Sequence, residues 1–358
     1  WINSLSCKQQ GRSGTLALTE NNNQLAAPGL RDFAAQGAVF DGLMQTLRTG
    51  DYVHAYLICG MHGIGKRTLA RLMAQYILCR GEKDQEPCGR CPECIRFRDG
   101  THPDVVYLRP EKDRKNITVD QVRELVALAA EHTYAGGRRI ICVEQAEKMN
   151  PQAQNALLKT LEEPQAENVF LLLCEDTALL LPTIVSRCRV VKLHPWPRNV
   201  MIAALERAGA PAEHRAEAVD LAGGSIGLAL ATAMDEDFWR RRAEVMADFF
   251  SLTARSQILA VSNRWKDRRD QAEELLRDVE EMLRSLWLTH VGLLDAQGVA
   301  SFPLPWQRLA KEGEDAAFSR LLDAVFEARR RRANQVTWQA VVEGLLTHMT
   351  EEIQPWLK

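Results

Sequence analysis

Apolar positions in the first half of the chain form short continuous runs separated by helical stripes. The continuous runs have the length of strands and lie at residues 55–59, 105–108, 139–143 and 169–174. Between the runs, apolar residues recur at helical spacing, for example at Leu69, Leu72 and Tyr76. Strands that are apolar on both faces and alternate with helices indicate a parallel sheet covered on both sides. Residues 37–195 are therefore predicted to form an α/β domain.

The pattern changes at residues 195–197, where two prolines flank a tryptophan and prevent a helix from continuing. Strand signals end there, so residues 196–232 are predicted to form a small helical domain and residues 233–358 an all-helical domain. Residues 1–36 contain three consecutive asparagines and show no hydrophobic period. They are predicted to be a poorly ordered lead-in.

Composition and charge exclude several classes of protein. The 358 residues are 46% hydrophobic and 26% charged, the balance of a globular protein with two or three domains. The longest continuous apolar run is far shorter than the roughly 18 residues that a membrane span needs. A net charge of −2 gives no general attraction to nucleic acid, so any such contact must come from a local patch or from partners. The arginine run at 329–332 is such a patch, but runs of this kind more often form a solvated helix face.

The loop at residues 60–66 lies between a predicted strand and a predicted helix and has the pattern of a phosphate-binding P-loop. Its glycines allow backbone N–H groups to face phosphates, and its lysine can reach the outer phosphates. Arg67 stands where a Ser or Thr hydroxyl would hold Mg²⁺, and Thr68 comes one position late. The candidate nucleotide-binding residues are Gly60, Gly63, Gly65, Lys66, Arg67, Thr68 and Glu144.

The acidic residues that ATP hydrolysis needs are incomplete. Glu144 follows the predicted strand at 139–143 and can still contact a metal ion, but the next residue, Gln145, cannot act as a general base. Together with Arg67, this predicts a poor ATPase and leaves the binding of ATP or ADP open.

Nine cysteines, an odd number without a secretory signal, predict a reducing compartment and argue against a disulfide framework. Four of them cluster in a turn rich in Gly and Pro, and four thiolates at this spacing fit a closed tetrahedral zinc site. The predicted metal ligands are Cys79, Cys88, Cys91 and Cys94. Cys59, Cys142 and Cys174 lie on predicted buried strands and are expected to be core residues, while Cys7 has no assigned role.

Arg187 follows the last predicted strand in a Ser-Arg-Cys tripeptide. An arginine there either forms an ion pair at the edge of the core or reaches across a subunit interface to the γ-phosphate of a neighbour's nucleotide. The residues alone leave these two alternatives open.

These motifs resemble the clamp-loader branch of the AAA+ ATPases. The resemblance covers residues 40–195 and is carried by the cysteine module, the Ser-Arg-Cys tripeptide and the segments at 54–57, 100–104 and 155–164. It implies an AAA+ α/β domain with a parallel sheet and an inserted zinc module at 79–94, a helical lid over 196–232 and an all-α collar for oligomerisation over 233–358. It also implies structural Zn²⁺ at the four clustered cysteines. Arg187 would be an arginine finger that acts in trans on the ATP site of an adjacent motor subunit.

The resemblance further implies a role in bacterial DNA replication. The expected function is that of a mostly noncatalytic subunit in a pentameric ring with gamma/tau and delta subunits, which places the sliding clamp on primed DNA. The expected location is the cytoplasm, at the nucleoid-associated replisome, without a membrane. Arg67, Gln145 and Leu228, the last standing where the motor has a sensing arginine, favour this role over a gamma/tau-type ATPase motor. A zinc-containing DNA-binding module that uses the cysteine turn and residues 329–332 is a second alternative.

Overall fold

The structure is a computed structural model. It describes residues 16–17, 29–82, 86–110, 116–134, 137–164, 167–252, 254–293, 299 and 302–357. The chain divides into two compact units, Trp1–Met234 and Asp235–Lys358. None of the described helices is long and apolar enough to cross a membrane. Most of the predicted lead-in, including Cys7, lies outside the described residues.

A six-stranded sheet forms the centre of the first unit. Its strands are β1 (Leu16–Ala17), β2 (Ala55–Cys59), β3 (Val105–Leu108), β4 (Arg139–Val143), β5 (Asn168–Cys174) and β6 (Arg189–Lys192). Their order across the sheet is β1-β3-β4-β5-β2-β6, and only β1 runs antiparallel to its neighbour. Strands β2 to β5 are buried along their whole length, which explains their continuous apolar runs. The predicted parallel α/β sheet is confirmed.

Nine helices of the first unit connect these strands or follow them within the described residues. They are α1 (Ala38–Thr49), α2 (Lys66–Leu78), α3 (Pro92–Arg98), α4 (Val119–Ala129), α5 (Pro151–Glu162), α6 (Pro182–Val185), α7 (Arg198–Arg207), α8 (Ala212–Leu221) and α9 (Ile226–Met234). Two helix starts follow from local sequence. The Thr118 side chain accepts from Gln121 N–H to cap α4, and Asn150 caps α5 ahead of Pro151.

Two segments of the first unit differ from the expectation. Strand β6 pairs with β2, although its side chains are exposed except for Val191, so it carries no apolar run. Residues 30–36 fall within the predicted lead-in but form a 3-10 helix, Leu30–Gln36, with Leu30 and Phe33 buried. Phe33 packs edge-on against Trp196 with ring centroids 5.1 Å apart. This partner is distant in sequence, so the short segment gives no periodic signal of its own.

The second unit is helical wherever it is described, apart from short connections. Its helices are α10 (Glu236–Phe250), α11 (Arg255–Lys266), α12 (Ala272–His290), α13 (Leu304–Glu312), α14 (Asp315–Ala333) and α15 (Trp338–Ile353). Trp265 and Trp306 are the largest fully buried side chains of its core. The predicted helical C-terminal region is confirmed, while the separation of a lid at 196–232 from the α/β domain stays a prediction.

Candidate functional site

The glycine loop joins a buried strand to a helix, as a P-loop does. Strand β2 ends at Cys59 and helix α2 begins at Lys66, so the loop lies above the sheet at the helix N-terminus. Gly63 and Gly65 have φ angles of +71° and +106°, a conformation that side chains other than glycine rarely adopt. The loop therefore has both the position and the backbone freedom of a phosphate cradle.

The loop's lysine is engaged by the loop itself. Lys66 Nζ donates to the Gly60 carbonyl at 2.6 Å and to the Met61 carbonyl at 3.0 Å. Burial lowers the pKa of Lys66 below its ordinary value. A phosphate group would have to compete with these two carbonyls for the ammonium.

Three residues from the predicted lid and its connection hold the outer side of the loop. Ser225 Oγ donates to the His62 carbonyl at 2.9 Å, and Gly227 N–H donates to the Gly63 carbonyl at 2.8 Å. Trp196 Nε1–H donates to the Ile64 carbonyl at 2.7 Å. The loop backbone is thus fixed by protein groups.

An ion pair joins Arg67 and Glu144, which stand at the two positions that hold Mg²⁺ in a P-loop ATPase. Arg67 Nε lies 3.3 Å from Glu144 Oε1, and Arg109 Nη2 lies 3.5 Å from the same oxygen. Glu144 is buried, whereas Gln145 is exposed in a left-handed conformation with φ +52°. A carboxylate that is already paired with two guanidinium groups does not fit a Mg²⁺ site, and an amide supplies no base. Thr68 lies half-buried on α2.

The four clustered cysteines converge on one point. Their ligand atoms all lie within 4.8 Å of one another, and the Sγ atoms of Cys88 and Cys94 lie 4.0 Å apart. A tetrahedral zinc ion with Zn–S bonds of about 2.3 Å holds its sulfur atoms about 3.8 Å apart. The geometry and the soft thiolate donors therefore fit a metal ion such as zinc.

Backbone N–H groups stabilise negative charge on the sulfur atoms of this cluster. The N–H groups of Cys88, Cys91 and Cys94 each donate to the Sγ of the preceding cysteine of the cluster at 3.4 Å. Although burial raises it, hydrogen bonds from the backbone of Cys94 and Arg80 hold the pKa of the Cys91 thiol at about 6. Burial raises the pKa of the Cys94 thiol above its ordinary value. The cluster therefore shares thiolate charge unevenly until a metal ion deprotonates all four groups.

A buried polar pair attaches the cysteine module to the sheet. His102 Nδ1 accepts from Asp104 N–H at 3.2 Å, so its proton lies on Nε2, which faces Glu93 Oε2 at 3.0 Å. Glu93 lies on α3 between Cys91 and Cys94, and Asp104 immediately precedes β3. Burial lowers the pKa of His102, which keeps the ring neutral. The module is therefore fixed to the start of β3.

Arg187 lies just after α6 and pairs with the end of α5. Its Nη2 is 2.6 Å from Glu162 Oε1, and its Nη1 donates to the Thr183 carbonyl at 2.9 Å. The Arg187 side chain is 33% exposed, so part of the guanidinium faces solvent. The ion-pair alternative is present in the structure, and the role of Arg187 as a finger stays a prediction.

The α/β region is similar to a known family of DNA polymerase III subunits. The family described as "DNA polymerase III, delta subunit" matches residues 35–197. The DNA polymerase III subunit delta' of Pseudomonas aeruginosa is 45% identical over 177 residues, which are 49% of this chain and 54% of that protein. The matched region is similar to the delta' subunits of DNA polymerase III.

Two further delta' relatives extend the comparison. The Escherichia coli protein is 37% identical over 204 residues, 57% of this chain and 61% of that protein. The Bacillus subtilis protein is 26% identical over 307 residues, 83% of this chain and 91% of that protein. The chain therefore matches 54% and 61% of the first two relatives' lengths and most of the third.

The sequence located the motif residues of the matched region but gave no signal for three of their partners. Ser225 and Trp196 hold the P-loop, and Glu162 pairs with Arg187. Trp196 stands between two prolines, which marked its segment as a boundary only, and Ser225 stands in a Gly-Gly-Ser segment within the predicted lid. Local sequence carries no signal for these contacts, since each joins residues far apart along the chain.

The arginine run of the second unit is paired with acidic neighbours. Every arginine from 329 to 332 forms an ion pair, with partners Glu273, Glu280 and Glu327. Guanidinium groups that are paired with carboxylates offer little net charge to phosphates. This face of α14 does not support the DNA-binding alternative.

Proposed function

We propose that this protein is a delta'-type subunit of the bacterial DNA polymerase III clamp loader. It assembles with gamma/tau and delta subunits into a pentameric ATP-driven ring, which loads the sliding clamp on primed DNA in the cytoplasm, at the nucleoid-associated replisome. The similarity of residues 35–197 to the delta' subunits supports this role. The lid at 196–232 and the collar at 233–358 are proposed as separate domains, with the collar joining neighbouring subunits.

The observation that carries a noncatalytic role is the Arg67–Glu144 ion pair. A motor subunit needs a hydroxyl and a carboxylate at these positions to hold Mg²⁺ against the β- and γ-phosphates. Here a guanidinium occupies the hydroxyl position and is bound by the carboxylate. The proposed chain therefore hydrolyses ATP poorly or not at all, and binding of ATP or ADP at Gly60, Gly65 and Lys66 would not need the metal.

The gamma/tau-type motor is the competing function, and an assay on the isolated chain separates the two. A steady-state turnover near 1 s⁻¹, within the usual enzyme range, that is lost in Lys66→Ala would establish the motor and overturn the noncatalytic role. Absence of turnover supports the delta' role.

Arg187 is proposed as the chain's contribution to catalysis. Its guanidinium lies at the surface beside α6, is held on one side by Glu162 and Thr183, and remains partly exposed. In this position it can stabilise the charge that develops on the γ-phosphate of a neighbouring motor's ATP. The structural zinc ion proposed at Cys79, Cys88, Cys91 and Cys94 would fold the adjoining module and has no open coordination position for catalysis.

Substitution of Arg187 tests this function in the reconstituted ring. Arginine fingers contribute about 10³ to 10⁵ in rate, so Arg187→Ala should lower DNA-stimulated ATP hydrolysis and clamp loading by about that factor. Arg198→Ala, which removes an exposed ion pair with Asp220, is the matched control and should leave ring activity unchanged. Wild-type ATP hydrolysis by the Arg187→Ala ring would rule out the finger.

A further inference from the structure

The guanidinium of Arg187 is held from one side by three acceptors. Glu162 Oε1 lies 2.6 Å from Nη2, while the Thr183 carbonyl and Ser186 Oγ lie 2.9 Å and 3.4 Å from Nη1. Glu162 is the last residue of α5, whereas Thr183 and Ser186 belong to α6 and its C-terminal cap. Two separate helices therefore determine where this side chain points.

We propose that Glu162 is a positioning residue for Arg187, which holds the guanidinium in the orientation that a neighbour's γ-phosphate requires. This inference rests on the proposed function. A free arginine side chain carries about 2 kcal/mol of rotamer entropy, and a preformed ion pair removes part of that cost before the phosphate arrives. Arginine has five N–H donors in a planar fork, so an oxyanion can bind the donors that Glu162, Thr183 and Ser186 leave exposed.

Glu162 contacts Arg187, whereas the next residue along the chain, Glu163, does not. Both Glu162 and Glu163 are exposed, but only Glu162 reaches a guanidinium, and Glu163 forms no ion pair within the described part of the chain. Preorganised donors stabilise a transition state more than donors that must first become ordered. Loss of the Glu162 charge should therefore lower kcat and leave the KM for ATP nearly unchanged, because the motor's own P-loop binds the ground-state nucleotide.

The test uses the complete reconstituted ring with four variants of this chain: Glu162→Gln, Glu163→Gln, Arg187→Ala and the double variant Glu162→Gln/Arg187→Ala. ATP hydrolysis in the presence of clamp and primed DNA gives kcat and KM, and size-exclusion chromatography reports ring assembly. Since half-exposed ion pairs contribute up to about 1 kcal/mol, Glu162→Gln should lower kcat by about fivefold. Glu163→Gln should match the wild type. In the Arg187→Ala background, Glu162→Gln should have no further effect.

Each outcome decides the proposal. A wild-type kcat for the Glu162→Gln ring overturns it, as does an equal loss in the Arg187→Ala background. A Glu162→Gln ring that fails to assemble assigns Glu162 a structural role and also overturns it. If Arg187→Ala lowers activity while Glu162→Gln does not, the finger stands and only the positioning role is wrong. Wild-type activity in Arg187→Ala removes the proposed finger itself.

Discussion

The substitution Gly63→Ala, which adds one methyl group, tests the contact between the P-loop and the predicted lid. A Cβ on Gly63 would lie 2.3 Å from Ser225 Oγ and 3.1 Å from the Leu228 backbone nitrogen. Real Cβ atoms do not come so close to a neighbour, so Ser225 must move and its hydrogen bond to the His62 carbonyl must break. Ser225 is fully buried, which makes that loss unfavourable.

The expected cost of Gly63→Ala has two parts. A non-glycine residue in the left-handed conformation, here φ +71°, costs about 1 to 2 kcal/mol. The displaced buried hydroxyl adds about 1 to 3 kcal/mol. We therefore expect the free energy of unfolding of the first unit to fall by about 2 to 5 kcal/mol.

Gly50→Ala is the matched control because Gly50 has φ +78° and an added Cβ there would meet nothing within 4 Å. It should show the backbone cost alone. Urea unfolding of both variants, followed by circular dichroism, measures the difference between them. Ser225→Gly should recover part of the loss in the Gly63→Ala background but not in the Gly50→Ala background. Equal destabilisation by Gly63→Ala and Gly50→Ala would refute the described contact between the lid and the loop.

Three further predictions concern the metal site and the P-loop. Metal analysis should find about one zinc ion per chain, which Cys91→Ser should lose and Cys142→Ser, a core substitution, should retain; a stable, metal-free wild type would contradict the site. Because all four ligands must be thiolates and burial raises the pKa of the Cys94 thiol, metal affinity should fall progressively as the pH is lowered from the alkaline range, and more steeply below about 6, where the Cys91 thiol also becomes protonated. Calorimetric titration with ADP should show no dependence on Mg²⁺ for the wild type, whereas Arg67→Thr, which restores a hydroxyl and removes one of the two guanidinium partners of Glu144, should introduce one. Mg²⁺-dependent binding by the wild type would show that the ion pair does not exclude the metal.

The strands that were found from sequence are those whose burial leaves a local signature. Strands β2 to β5 are buried on both faces, so their residues are continuously apolar. Strand β6 has a single buried side chain, Val191, and its pairing depends on β2, which lies far away along the chain. Leu30 and Phe33 are buried only because Trp196 and the helices nearby cover them. Tertiary contacts decide the structure of such segments, and these contacts leave no periodic pattern in the local sequence.

The features of the candidate site likewise separate into those that local sequence predicts and those that depend on distant contacts. The cysteine cluster and the glycine loop depend on spacing within a short segment, so sequence located their residues. The pairing of Arg67 with Glu144 and of Arg187 with Glu162 depends on distances between separate elements. Sequence showed that Arg67 departs from the P-loop pattern. It could not show that the replacement is held by the carboxylate that would otherwise bind Mg²⁺.

Strand β6 has a consequence for how the molecule meets other copies of itself. It lies at an edge of the sheet, where unpaired backbone groups can recruit a strand from another chain. Arg189 and Lys192 occupy its two ends, and Arg189 also donates to Thr46 Oγ1 at 2.6 Å on α1. Charges at both ends of an exposed edge oppose pairing with a second sheet. The charged residues that weaken the hydrophobic pattern of this strand in the sequence therefore also oppose edge-to-edge aggregation.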